Sequence, residues 1–178
     1  VQVIKTPSTA VNLFESGEVD VVNKLTSEYA KNYKDNASFL PVEQYVTFFL
    51  KLNAERNGKK TPLDNKDLRQ AIAQSFDKEA FVTNILGDGS TPTDHLIPKG
   101  QTKDPASGDD FTEVAGKTNT YLTYNPEGAK KSLELAKKDL GDKIELEFLT
   151  DDTEVAKTSA EFFSNQIETN LPGVKINI

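Results

Sequence analysis

Between Thr61 and Gly89 the apolar positions repeat with helical spacing. Leu68, Ala71, Ile72, Ser75 and Phe76 fall at offsets 0, 3, 4, 7 and 8, which puts one narrow stripe on one helix face. Asp64 or Asn65 can cap this helix, because a short side-chain oxygen there accepts a bond from a free amide. A second helix is predicted from Asp77, which suits a cap and the positive end of the helix dipole. Phe76 and Phe81 have the spacing of a hydrophobic staple across that cap. Phe81, Val82, Ile85 and Leu86 form its apolar face, and Gly87 can end it in the left-handed conformation.

The same reading extends along the chain. Val1–Ile4 predicts a short strand. Thr6-Pro7-Ser8-Thr9 opens a helix carrying Ala10, Val11, Leu13 and Phe14, which Gly17 stops, and Val19, Val21 and Val22 predict another strand. These three pieces form an expected β-α-β unit. Thr26 or Ser27 can cap a helix with Leu25, Tyr29, Ala30 and Tyr33. Asn125 as cap with Pro126 at the first helical position starts a helix with the stripe Ala129, Leu133, Ala136 and Leu140. Lys130, Lys131, Lys137 and Lys138 are expected to face water, and Gly141 to end the helix. Ile144, Leu146 and Phe148 alternate with Glu145 and Glu147, predicting a strand with one wet face. Asp151, Asp152 or Thr153 begins a helix with Val155, Ala156, Ser159, Phe162, Phe163 and Ile167, broken at Leu171-Pro172-Gly173. Val174, Ile176 and Ile178 predict a last strand, parallel to the preceding one. The fold class is therefore α/β, a mixed sheet with flanking helices.

Tyr45–Asn53 carries the strongest strand signal, since β-branched and aromatic residues suit a pleated surface. Alternation assigns Val46, Phe48, Leu50 and Leu52 to an apolar face directed at a core. It assigns Tyr45, Thr47, Phe49, Lys51 and Asn53 to a mixed face, which on residues alone is a half-exposed sheet surface. Glu55–Lys60 is a polar loop with a strong turn signal at Asn57-Gly58. Asp88–Gly116, rich in Pro, Gly, Asp, Thr and Ser, reads as a long connecting loop, set at 88–118.

The 178 residues suit a single domain able to bury a core without staples. Twenty-eight acids against 21 bases give a net charge of −7, which argues against a nucleic-acid partner. Absence of Cys removes disulfides, zinc knuckles and thiol nucleophiles. No apolar run approaches the ~20 residues of a membrane span. The lack of Met and of a leader, with a strand at the very end, fits a segment excised from a longer polypeptide.

Catalytic signals are missing. No nucleophile elbow, zinc-protease helix or phosphate-binding loop occurs, and Gly87-Asp88-Gly89 follows a helix, so it is a turn. His95, the lone His, has no second ligand beside it in sequence and is assigned to packing or a solvated loop. Asp104, Asp109, Asp110 and Glu113 lack calcium-loop spacing. Glu145 and Glu147 are solvated by default. Arg69 is either a ligand clamp or, favoured, a structural ion pair or carbonyl cap. The triplet Asn36-Ala37-Ser38 fits a glycosylation acceptor, a pattern frequent by chance. No enzyme, cofactor or metal is expected.

Three stretches resemble one family, and together the likeness covers most of the chain. They are L-D-N-K-D-L-R-Q-A-I-A-Q-S-F-D-K-E-A-F with L-G-D-G-S-T-P-T-D-H-L-I-P, S-T-A-V-N-L-F-E-S-G-E-V-D-V-V, and Y-N-P-E-G-A-K-K-S-L-E-L-A-K-K-D-L-G. The chain resembles the oligopeptide-binding proteins of ABC importers, the extracellular solute-binding proteins of family 5. The resemblance implies that residues 1–178 are a partial domain, most of one lobe of a periplasmic-binding-protein-like type II fold. The whole protein would have two lobes that close on the ligand. The strand matching Tyr45–Asn53 lines one wall of the peptide cleft, so the resemblance turns Tyr45, Thr47, Phe49 and Lys51 into ligand-wall candidates. The expected partners are oligopeptides, held largely through their backbone, and the membrane permease of the importer. A monomer is expected, placed outside the cytoplasm as a cell-surface lipoprotein or periplasmic protein, with membrane contact only through an N-terminal anchor lying outside this sequence. A dipeptide, a signalling peptide, a nickel chelate or a glycan are alternative ligands within the family.

Overall fold

The computed structural model describes residues 3, 4, 6–23, 25, 27–116 and 120–178. The expected strand at Val1–Ile4 lies partly outside these residues, as does the cap expected from Thr26 or the Ser27 side chain. The helices are α1 Pro7–Glu15, α2 Ser27–Tyr33, α3 Lys66–Gln74, α4 Lys78–Ala80, α5 Phe111–Ala115, α6 Pro126–Leu140 and α7 Glu154–Asn170. The strands are β1 Glu55–Arg56, β2 Lys59–Lys60, β3 Ile144–Glu147 and β4 Val174–Asn177. They form two small sheets, an antiparallel β1-β2 hairpin and a parallel β3-β4 pair. The class is α/β.

The chain divides into two compact units. One comprises residues 1–42 and 79–91. Within it α1 starts on Pro7, whose missing amide costs nothing at a helix start. Val11 and Ala30 are buried, Phe14 meets Tyr33 edge to face, and Tyr33 Oη donates to Glu15 at 2.5 Å. The strand expected at Val19–Val22 does not form. The amides of Glu18 and Val19 both turn back to the Leu13 carbonyl, and Val21 is left exposed. A β-α-β unit is thus not seen here among the described residues. After α4 the chain continues as a wider π-helical turn, Phe81–Leu86, where the Gly87 amide reaches back five residues to Val82 at 2.8 Å. Gly87 is left-handed, at φ +57°, and ends that turn.

The other unit comprises residues 43–78 and 92–178. Its core joins Leu68, Ala71 and Ile72 of α3 to Ala129, Leu133 and Ala136 of α6. It continues through Ile144 and Leu146 of β3, Ile167 of α7, Leu171, and Val174 and Ile176 of β4. Small residues at Ala71, Ala129 and Ala136 let α3 and α6 approach closely. Leu68, Leu133 and Leu171 are fully buried; each contributes roughly 1.5–3 kcal/mol by leaving water.

Local chemistry sets the ends of these elements. Asn65 Oδ1 accepts from Leu68 N at 3.0 Å, Asn125 Oδ1 from Gly128 N at 2.9 Å and Thr153 Oγ1 from Ala156 N at 3.3 Å. The β3-α7-β4 unit pairs Ile144 with Val174 and Leu146 with Ile176, so all four apolar side chains enter the core and both glutamates of β3 face water. Asn57 and Gly58, at φ +53° and +73°, make the two-residue hairpin turn between β1 and β2 that tolerates this pair of left-handed residues. One surface assignment changes: Lys137 is mostly covered, its side chain 17% exposed and its ammonium 3.2 Å from Glu134. Long lysine stems commonly cover apolar surface in this way.

Candidate functional site

The strand expected over Tyr45–Asn53 is not formed: among the described residues, no neighbouring strand pairs with it. The Val46 amide instead closes a tight turn on the Gln44 carbonyl at 2.9 Å, with Tyr45 at its apex. The face expected to enter the core is correspondingly split. Val46 and Phe48 are 54% and 83% exposed, whereas Leu52 packs against the core. A strand exists by virtue of its pairing, and β-propensity without a partner leaves backbone and side chains facing solvent.

The C-terminal end of this segment is fixed. Thr61 Oγ1 donates to the Asn53 carbonyl at 2.6 Å, and Thr61 N donates to the Ala54 carbonyl at 3.0 Å. The same hydroxyl accepts from Leu63 N in the 3-10 turn before α3. One residue thereby joins the segment, the hairpin and the helical core.

The four candidate wall residues lie on this segment. Tyr45, Phe49 and Lys51 are exposed, the two aromatic residues by 59% and 68%. Thr47 is half-buried, and its hydroxyl is shielded from solvent with no hydrogen-bond partner. A shielded hydroxyl without a partner costs roughly 1–3 kcal/mol, so it is a place where an incoming polar group gains. Together with Val46 and Phe48, the rings make an exposed apolar run of the kind that marks a contact surface.

One neighbour of Tyr45 escaped sequence reasoning. A Cβ built on Gly100 would lie 3.2 Å from Tyr45 Cε1, so the ring rests against a bare backbone. The Gly100 amide donates to Asp110 Oδ2 at 2.6 Å, and Asp110 Oδ1 accepts from Thr112 N and Oγ1 at 2.9 and 2.5 Å. The Thr112 hydroxyl first, then the Gly100 and Thr112 amides, hold the Asp110 carboxyl below its usual range. Asp110 followed by Thr112 marks a turn in the sequence, but nothing there reveals which side chain the turn supports.

The remaining polar candidates have other employment. Arg69 caps the carbonyls of Leu63 and Asp64 at 2.7 and 2.9 Å, the structural role favoured from sequence. A hollow of about 330 Å³ opens beside it, lined by Leu52, Lys66, Gln70 and Tyr121 among others. Glu147 pairs with Arg56, and Glu145 is exposed on β3. Glu113 pairs with Lys99 at 3.0 Å, and Asp104 accepts from Ser107 N. The backbone of His95 exchanges hydrogen bonds with the Thr93 hydroxyl. Among the described residues, no group of three or more His, Asp or Glu could hold a metal ion.

The 178 residues match, from end to end, the model of the middle region of the bacterial extracellular solute-binding proteins, family 5. The periplasmic oligopeptide-binding protein OppA of Haemophilus influenzae is 37% identical over 98 residues, covering 53% of this chain and 17% of that protein. The structure of Listeria monocytogenes OppA bound to peptide superposes with a TM-score of 0.92 at 37% identity, covering 99% of this chain and 34% of that one. The substrate-binding domain of an oligopeptide ABC transporter from Bacillus anthracis gives 0.87 at 42% identity, covering 98% and 33%. The chain therefore spans about a third of the solved structures it matches and less of the curated relative. The α/β fold is periplasmic-binding-protein-like. On the match over its whole length, the chain belongs to the bacterial extracellular solute-binding proteins of family 5.

Proposed function

We propose that this chain is part of the peptide-binding component of an ABC importer, capturing oligopeptides outside the cytoplasm. It forms a portion of one ligand-binding lobe, and the connecting segment 88–116, interrupted by the short helix α5, belongs to that lobe. The observation that carries the reading is the exposed aromatic run through Tyr45 and Phe49, which no strand pairs among the described residues, with a shielded, partnerless Thr47 hydroxyl. Extended peptides offer such a surface what it lacks: amides and carbonyls at every residue, and side chains to cover the rings. Lys51 supplies a cation for peptide carboxylates or carbonyls. Support comes from the 37%-identical solved structure, which is described as bound to peptide.

The chain binds rather than catalyses: its paired carboxylates are exposed or held in ion pairs, and its relatives are binding proteins. The partners are peptides and an importer permease, and the acidic net charge of −7 suits neither DNA nor RNA. The whole protein acts as a monomer in the periplasm or tethered at the cell surface by an N-terminal anchor. No helix among the described residues is long and apolar enough to cross a membrane.

The test is calorimetric titration of the full-length parent with penta-alanine. Phe49→Ala and Lys51→Ala should each weaken binding several-fold or more, and Glu145→Ala should change it less than twofold. Equal effects at all three positions would remove the 45–51 segment from the binding surface.

A further inference from the structure

Resting on that reading, we infer that Gly100 and Asp110 are positioning residues for peptide binding, acting through the ring of Tyr45. Tyr45 sits at the apex of the tight turn between Gln44 and Val46, which sets its backbone and leaves the side-chain torsions to be fixed by what surrounds the ring. The ring lies beside Gly100. Measured from a Cβ built there, Tyr45 Cε1, Oη and Cζ lie at 3.2, 3.8 and 3.9 Å. The shortest is tighter than an ordinary van der Waals contact, so the ring occupies space that a side chain at position 100 would need. Gly100 also has φ +85°, a conformation that glycine adopts without the steric cost a Cβ imposes.

The backing is held stiffly. Asp110 spends one carboxylate oxygen on the Gly100 amide, ten residues away, and the other on Thr112. Capping α5 requires only the second. The first fixes the part of the loop that carries the ring. The loop is closed further by Phe111 N to the Thr102 carbonyl at 3.0 Å, Asp104 N to the Asp109 carbonyl at 2.8 Å, and Lys99 to Glu113 at 3.0 Å. An exposed aromatic side chain otherwise samples several rotamers, and fixing it before the peptide arrives removes an ordering cost from binding. The loop thus preorganises a residue of the binding surface without touching the ligand itself.

The full-length parent tests this with two readouts. It is labelled with 3-fluorotyrosine, and the fluorine resonance of Tyr45 is assigned by its loss in Tyr45→Phe. Penta-alanine affinity is then measured for Gly100→Ala, Asp110→Ala, Tyr45→Ala and the double variant Gly100→Ala/Tyr45→Ala. Gly100→Ala and Asp110→Ala should each move the Tyr45 resonance and weaken binding at least threefold. In the Tyr45→Ala background, Gly100→Ala should change affinity less than 1.5-fold, the non-additivity of residues acting as a unit. A resonance unmoved by both loop variants overturns the inference. So does an equal loss from Gly100→Ala with and without the ring, which marks general disruption. If the resonance moves but Tyr45→Ala binds like the parent, the assignment of Tyr45 to the peptide surface fails, and the positioning role falls with it. Should Gly100→Ala not fold, Asp110→Ala with and without Tyr45→Ala decides by the same criteria.

Discussion

Asn170 Nδ2 donates to the carbonyl of Ser75 at 2.7 Å, joining the last residue of α7 to the C-cap of α3 across 95 positions of sequence. The end of α3 has carbonyls that its own helix cannot pair. Three of the carbonyls here have a specific partner: Ile72 takes the Ser75 hydroxyl and amide, Gln74 takes the Asn125 amide, and Ser75 takes Asn170. Ser75 is fully buried, so Asn170→Ala leaves a carbonyl with neither water nor protein to meet it. A loss of about 2 kcal/mol is expected, read as a lower urea midpoint at constant slope.

Leu133 and Phe49 should separate stability from binding. Leu133 is 1% exposed at the α3–α6 contact, so Leu133→Ala opens a cavity and should cost about 3 kcal/mol in urea denaturation. Phe49 is 68% exposed, and Phe49→Ala should change stability by no more than about 0.5 kcal/mol. A large loss from Phe49→Ala would mean that its ring belongs to a core rather than to a contact surface.

Acid should loosen the β4 edge through Glu168. Its carboxylate accepts from the Ile176 amide at 2.8 Å and from Lys175 Nζ at 3.1 Å. The Ile176 amide first, and Lys175 after it, hold the group below its ordinary 4.5. As pH falls, the unfolded chain takes up this proton before the folded chain does. The stabilisation is therefore complete above about pH 4.5 and is lost progressively as pH falls below it. Urea midpoints between pH 6 and pH 3 should fall less steeply for Glu168→Gln than for the unchanged chain.

Elements with local signals and a partner within the chain were legible. The cap at Asn125, the stripes of α3 and α6, and the β3-α7-β4 crossover follow from spacing and cap chemistry, whereas the choice of Asn65 over Asp64, and of Thr153 over Asp151 and Asp152, is made only by the fold. Strands that need a distant partner were not. Tyr45–Asn53 has the richest β composition in the sequence, yet it stays unpaired because composition specifies a preference and pairing specifies a strand. Val19–Val22 lost its strand to the last turn of α1, which claims the Val19 amide. The candidate wall residues came from resemblance to a family. The support beneath Tyr45 came only from three-dimensional contact, since Gly100 and Tyr45 share no motif.

On the proposed reading the 178-residue chain supplies one wall of a cleft, so separated from a longer parent it should bind penta-alanine far more weakly, because a peptide is held by surrounding it. Tight, saturable binding at micromolar concentration by the separated chain would mean that the whole site lies within these residues.

Peptide capture itself is tested most directly by native mass spectrometry of the full-length parent, purified without denaturation. A ladder of bound masses corresponding to short peptides of mixed composition is expected, as backbone-directed binding tolerates many sequences. A single bound mass that is not a peptide would contradict the peptide assignment and leave the fold and family standing.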